Sequence, residues 1–180
     1  MNPIKIIDKY YDKNSKIYKL LMGHSNAVAK KALEVAKRLN NQDIDLELIY
    51  EGAMLHDIGI FLTNAPKIHC LSNEPYIRHG ILGKEILEKE GLPKHSLICE
   101  RHIGVGLTAE DIKRQGLPLP ERDMAPKAIE EKIIAFSDNF FSKGKGGREN
   151  SINEIKDIFK KNDSKKIKIF EEWCREFKEI

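Results

Sequence analysis

Apolar residues recur at i, i+3 and i+4 spacing along almost the whole chain. No stretch sustains a period-two alternation of β-branched residues, so the pattern predicts an all-α fold. Pro3 to about Tyr11 reads as a first helix with proline in its first turn, and Ser15 to Met22 as a short second one behind an Asn14 or Ser15 cap. From Gly23 the stripe Val28, Ala32, Val35, Ala36, Leu39 defines the next helix, and His24 lies one turn before Val28 on that stripe, facing inward. Asn40 to Asp43 breaks the run. Asp45 to His56 follows, with Ile49, Gly52, Ala53 and His56 on one face. Ile60 to Pro75 mixes turn formers with apolar residues and reads as a long, partly ordered loop, a kind that is usually functional.

Tyr76 to about Glu90 is predicted as a helix with His79, Leu82, Gly83 and Ile86 aligned, ended by Gly91 and Pro93. Pro93 opens another, in which His95, Ile98, Cys99 and His102 share a face. Thr108 to Asp111 carries a helix-start signature, and three prolines make Gly116 to Pro126 an irregular crossing. Lys127 to Phe141 aligns Ile134, Ala135, Asp138 and Phe141, which turns an aspartate toward the core. Gly144 to Arg148 is a flexible basic turn without phosphate-loop spacing, and amphipathic helices over Ser151–Lys161 and Ser164–Lys178 finish the chain.

At 180 residues and 41% apolar content, one domain spanning 1–180 is expected. No run approaches the roughly 18 apolar residues of a membrane span, and Asp8 interrupts the apolar start, so a cytoplasmic protein without a membrane partner is expected. Cys70, Cys99 and Cys174 are odd in number and lack C-x-x-C spacing, which fits reduced thiols better than disulfides or a zinc knuckle. A net charge of +3, with lysines scattered over helix faces, gives nucleic-acid binding little support and allows a weak attraction for anionic substrates.

The chemistry lies in the inward polar residues. His24, His56, His79, His102 and Asp138 fall on apolar faces of separate helices, and Asp57 adjoins His56. A lone inward histidine is commonly a hydrogen-bonded core residue. Four histidines and two aspartates would each need a private partner, however, and a buried unpaired carboxylate costs several kcal/mol, by rough estimate. A divalent metal satisfies all of them together. Six ligands exceed one tetrahedral ion and favour two ions about 3.5 to 4 Å apart, iron or manganese foremost, with zinc, nickel, cobalt or magnesium as the other candidates.

The order His24, then His56-Asp57, then Asp138 resembles the HD-domain superfamily of metal-dependent phosphohydrolases, and Leu55-His56-Asp57-Ile58-Gly59 is similar to its central motif. The resemblance covers about 23–143 and implies an HD-type helical bundle, with accessory helices at both ends. It implies one metal on His24, His56, Asp57 and Asp138. His79 and His102 stand where members with two further histidines hold a second metal, bridged by the aspartate of the HD pair. That subgroup includes cyclic-dinucleotide phosphodiesterases, dinucleoside polyphosphate hydrolases and mixed-valence di-iron oxygenases, and His79-Gly80-Ile81-Leu82-Gly83 is most similar to the second. Ile60 stands where many HD hydrolases carry lysine, and no Gly-Tyr-Pro triplet follows the motif.

The expected activity is hydrolysis of a phosphate ester or anhydride, of a nucleotide or dinucleotide first, by a metal-bridging hydroxide that Asp57 orients. A di-iron oxygenase and a nucleotide sensor without turnover are the alternatives. Arg78, Arg101, Lys143, Lys145 and Arg148 are the candidate phosphate contacts, being cations near ligand-bearing segments. The expected partner is a small phosphorylated molecule, and a homodimer is compatible with the sequence.

Overall fold

The computed structural model describes residues 1–144 and 147–180. Nine α-helices run through the described residues: α1 (Pro3–Tyr10), α2 (Lys16–Leu39), α3 (Leu46–Leu55), α4 (His79–Lys89), α5 (Pro93–Arg101), α6 (Ala109–Gln115), α7 (Ile129–Asp138), α8 (Ile152–Asn162) and α9 (Lys166–Glu176). The mostly helical expectation holds. Local chemistry sets most of the helix ends. Asn2, Ser15 and Asp45 cap α1, α2 and α3 through their side chains, and Thr108 and Ser151 form reciprocal capping boxes with Asp111 and Glu154.

Two features differ from the sequence expectation. The short helix from Ser15 and the one from Gly23 are a single 24-residue helix, α2, because Gly23 weakens a helix without breaking it when both flanks are strongly helical. The segment after the HD turn is not a loop alone: it folds as a three-stranded sheet of order β2-β1-β3, with β1 (Thr63–Ala65), β2 (Cys70–Leu71) and β3 (Glu74–Pro75). β1 runs antiparallel to β2, with Ala65 opposite Cys70, and parallel to β3, with Thr63 opposite Glu74. Strands of two and three residues are too short to write a period-two pattern into the sequence.

α2, α3, α5 and α7 pack on one another, and α4 lies against α5 and the turn after the HD motif. The main core is built from Leu21, Val28, Ile49, Met54, Leu55, Ile58, Ile98, Ile134 and Phe136, all fully or almost fully buried. It continues into the C-terminal helices, where Phe136 meets Phe170 and Phe177 at ring-centroid distances of 5.6 and 5.0 Å. A smaller cluster of Ile81, Ile112, Leu119 and Met124 lies under the irregular crossing. No helix among the described residues is long and apolar enough to cross a membrane.

A candidate metal centre

Three helices end, and one begins, around a single buried spot. His56 and His102 are the C-cap residues of α3 and α5, Asp138 is the last residue of α7, and His79 is the first of α4. His24 comes from within α2. The carbonyl ends of α3, α5 and α7 carry partial negative charge, so the backbone itself makes this a place for a cation.

Glycine explains how the elements come so close. A Cβ on Gly59 would overlap Gly83 N and His79 O, and one on Gly80 would stand 2.7 Å from Cys99 O. The HD turn, α4 and α5 thus meet backbone to backbone, which brings His56-Asp57, His79 and His102 within reach of one another.

The six side chains converge. His24 Nε2 lies 3.3 Å from His56 Nε2, and both stand 3.2 Å from Asp57 Oδ2. Asp138 Oδ1 is 2.9 Å from His24 Nε2 and 3.4 Å from His56 Nε2. On the other side of Asp57, Oδ1 faces His79 Nε2 at 3.4 Å and His102 Nε2 at 3.6 Å, and those two nitrogens are 3.0 Å apart. All six are buried except Asp138, whose side chain is 17% exposed.

Which nitrogen of each ring is free follows from the backbone. Nδ1 of His56, His79 and His102 lies 2.7 Å from the carbonyl oxygen three residues earlier, those of Ala53, Tyr76 and Cys99. A carbonyl can only accept, so each Nδ1–H donates and each Nε2 is the ring atom turned inward, able to present a lone pair to a metal once it carries no proton. Two lone pairs 3.0 Å apart repel unless a cation lies between them. Both oxygens of Asp57 and Oδ1 of Asp138 are buried without an ordinary hydrogen bond, and the one ammonium close to them among the described residues is that of Lys143, 2.6 Å from Asp57 Oδ2.

The electrostatics say the same. Burial opposes charge on Asp57 and Asp138, yet the Lys143 ammonium and the neighbouring imidazoles hold both carboxyls well below the usual range. Burial likewise opposes a proton on His56, but Asp57 and Asp138 outweigh it and push that imidazole up to about 10. Burial dominates at His79 and pushes it down to about 3, keeping it neutral as a ligand must be. Lys143 Nζ stands 2.6 Å from Asp57 Oδ2, and that carboxylate holds the ammonium above its ordinary range despite burial. The cage borrows positive charge from whatever is near.

Among the described residues, two groups satisfy the spacing for holding a metal: His24, His56 and Asp138, and His56, Asp57 and His102. The donors fit a divalent ion: imidazole nitrogens and buried carboxylate oxygens, types that suit iron, manganese or zinc.

The cationic candidates separate. Lys143 reaches the cage and lines the cavities at its mouth. Arg101 is paired with Glu131 at 2.9 and 3.1 Å, Arg78 with Glu74 at 2.7 Å and with Pro118 O, and Arg148 with Glu154 at 2.5 Å. None of those three lines the cavities around His24 and Lys143. Lys145 lies outside the described residues. Sequence reasoning did not single out Tyr76, whose ring stacks on His79 at 4.7 Å and whose carbonyl fixes that imidazole. It also passed over Lys19, which lines the cavity beside His24. The carbonyl acceptors have no side-chain signature, but the three-residue spacing from each histidine is in the sequence.

Residues 21–142 match the family model described as HD domain. An uncharacterized protein of Methanocaldococcus jannaschii is 40% identical over 119 residues, 64% of this chain and 63% of that protein. Two proteins named tRNA (cytidine(56)-2'-O)-methyltransferase are also similar. That of Picrophilus torridus is 38% identical over 68% of this chain and 32% of its own length. That of Thermoplasma volcanium is 32% identical over 78% of this chain and 36% of its own length. The chain therefore spans less than two thirds of each of these relatives. No solved structure matches.

Proposed function

The chain belongs to the HD-domain family, and from that premise we propose that it is a metal-dependent phosphohydrolase acting on a phosphate ester or anhydride, with a nucleotide as the first substrate to try. The observation that carries this reading is the convergence of four imidazoles on two buried carboxylates, whose one ammonium partner among the described residues is Lys143. His24, His56, Asp57 and Asp138 would hold one ion, and His79 and His102 a second, with Asp57 common to both because its two oxygens face the two histidine pairs separately. When bound, divalent ions supply Lewis acidity and bring a coordinated water into the titration range of neutral pH.

The protein's own part is positioning. The carbonyls of Ala53, Tyr76 and Cys99 lock three imidazoles in one tautomer, and the Tyr76 ring on His79 fixes that ring's plane. Asp57 is fully buried and shielded from bulk water, while Asp138 is partly exposed and Lys143 lines the cavities beside the cage. Lys143 and Lys19 supply the cations for phosphate charge there, since Arg78, Arg101 and Arg148 are engaged elsewhere.

Metal analysis of protein purified without chelator, followed by phosphate release from a panel of nucleotides, diesters and simple esters with manganese or iron, is the test. Fewer than one ion per chain, with no gain on adding either metal, sinks the reading; turnover that disappears in Asp57→Ala supports it. The two methyltransferase relatives add tRNA to the panel, because the matching stretch forms about a third of each.

A further inference from the structure

Two cavities share one wall at the mouth of the cage. One, of about 410 Å³, is bounded by Lys19, Leu20, Gly23 and His24; the other, of about 320 Å³, by Ala65, Lys67, Ile68 and Tyr76. Phe141, Ser142 and Lys143 border both, as a strap leaving the end of α7. The strap is pinned beside α7, where Asn150 N–H donates to Phe140 O at 2.7 Å and Phe141 bridges antiparallel to Glu149.

From this strap Lys143 reaches inward, with Nζ 2.6 Å from Asp57 Oδ2 and 5.9 Å from the centre of the Tyr76 ring. Among the described residues it is the one ammonium or guanidinium group on the cage carboxylates. The oxygen it occupies is the same one that faces His24 and His56. An ammonium and a divalent ion on one carboxylate oxygen repel strongly in a buried, low-dielectric site. Lysine is suited to yielding, as a compact charge on a flexible four-carbon stem.

We propose that Lys143 is a tethered counter-cation that neutralises Asp57 while the cage lacks metal, gives up that carboxylate to an entering divalent ion, and withdraws into the strap between the two cavities to meet the substrate's anionic group. The inference rests on the metal-centre reading above. In that position its ammonium stands between the two cavities, with Lys19 lining one and Lys67 the other.

Calorimetric titration with Mn²⁺, without substrate, compares the wild type with Lys143→Gln. Removing the competitor is expected to tighten Mn²⁺ binding at least tenfold. An affinity that is unchanged or weaker overturns the proposal. A second measurement needs no variant: amine acetylation of the wild-type protein, read by mass spectrometry. Lys143 is expected to be protected in the metal-free protein and labelled several-fold faster once Zn²⁺ is bound; equal labelling in both states overturns the proposal even if Lys143→Gln does not fold. A wild type that takes up no metal sinks the metal-centre reading itself, whereas metal uptake with no Lys143 effect sinks only the role given to Lys143.

Discussion

The orientation of single rings decides what this cage can hold. Because Nδ1 of His56, His79 and His102 is committed to a backbone carbonyl, each ring offers one nitrogen, Nε2, inward. Inward nitrogens and buried carboxylate oxygens together suit a divalent cation, the occupant proposed above. Saturation with Mn²⁺ at about 1,000 times its dissociation constant is therefore expected to stabilise the wild type by about 4 kcal/mol for each ion bound. In Asp138→Asn one ligand loses its charge, and the metal-induced rise in Tm is expected to fall to less than half, as thermal unfolding with and without Mn²⁺ will show. Stoichiometry separates the two halves of the cage. His79→Ala combined with His102→Ala strips one side of Asp57 and leaves His24, His56 and Asp138 in place, so metal analysis is expected to fall from two ions per chain to one. A double variant that still holds two ions would rule out the second site. Ile60 is fully buried and offers no cation, whereas Lys143, five residues past the end of α7, brings an ammonium to Asp57.

Between elements, the distances are set by glycine. Gly59 allows the HD turn to lie on α4, and a Cβ there would stand 2.9 Å from Gly83 Cα as well as overlapping two backbone atoms that cannot rotate away. Gly59→Ala is expected to destabilise the fold by about 2 kcal/mol or more and to weaken metal binding, since His79 moves with α4. Gly23 is the control. A Cβ at that position meets nothing within 4 Å, so Gly23→Ala is expected to stabilise α2 by roughly 0.5 to 1 kcal/mol, measured by urea unfolding. The same contrast explains what the sequence made legible. His24, His56, His79, His102 and Asp138 could be placed on inward faces because each keeps helical step with Val28, Ile49, Leu82, Ile98 or Ile134, and periodicity is a local signal. Gly23 looked like a boundary for the same local reason. The sheet from Thr63 to Pro75 had no local signal, being made of strands of two and three residues held by pairing rather than propensity. Arg78 and Arg101 looked available because their carboxylate partners, Glu74 and Glu131, are revealed only by folding: the first through a 3-10 turn, the second through the packing of α5 on α7.

Taken as a whole, the molecule wraps its family core with a C-terminal pair of helices that lies beyond the matched residues 21–142. α9 does two jobs there. Phe170 and Phe177 pack on Phe136 of α7, two residues before Asp138, so the C-terminal residues buttress the helix that carries this cage carboxylate. Its first residue, the buried Lys166, pairs with the buried Asp111 of α6, and Arg114 of α6 reaches Asp163 at 2.6 Å. Through these pairs the small cluster around Ile112 and Met124 is tied to the rest of the molecule by charge as much as by apolar contact. Burial works against the Asp111 carboxylate, but Lys166, the Thr108 backbone and hydroxyl, and Arg114 hold it well below the ordinary range. A carboxyl that titrates lower in the folded than in the unfolded chain contributes stability above the unfolded value of about 4 and loses it as the pH falls toward the folded value. Asp111→Asn removes that contribution and leaves Lys166 buried beside a neutral amide, a loss of roughly 3 kcal/mol at neutral pH by the usual cost of breaking a buried pair. The gap in Tm between wild type and variant is expected to be widest above about pH 5 and to narrow steadily toward about pH 2, because only the wild type has a proton left to take up at that position. Thermal unfolding across that range decides the point: a gap that stays constant would mean the pair holds α6 to α9 by shape alone, and a gap that widens in acid would reverse the sign assigned to Asp111.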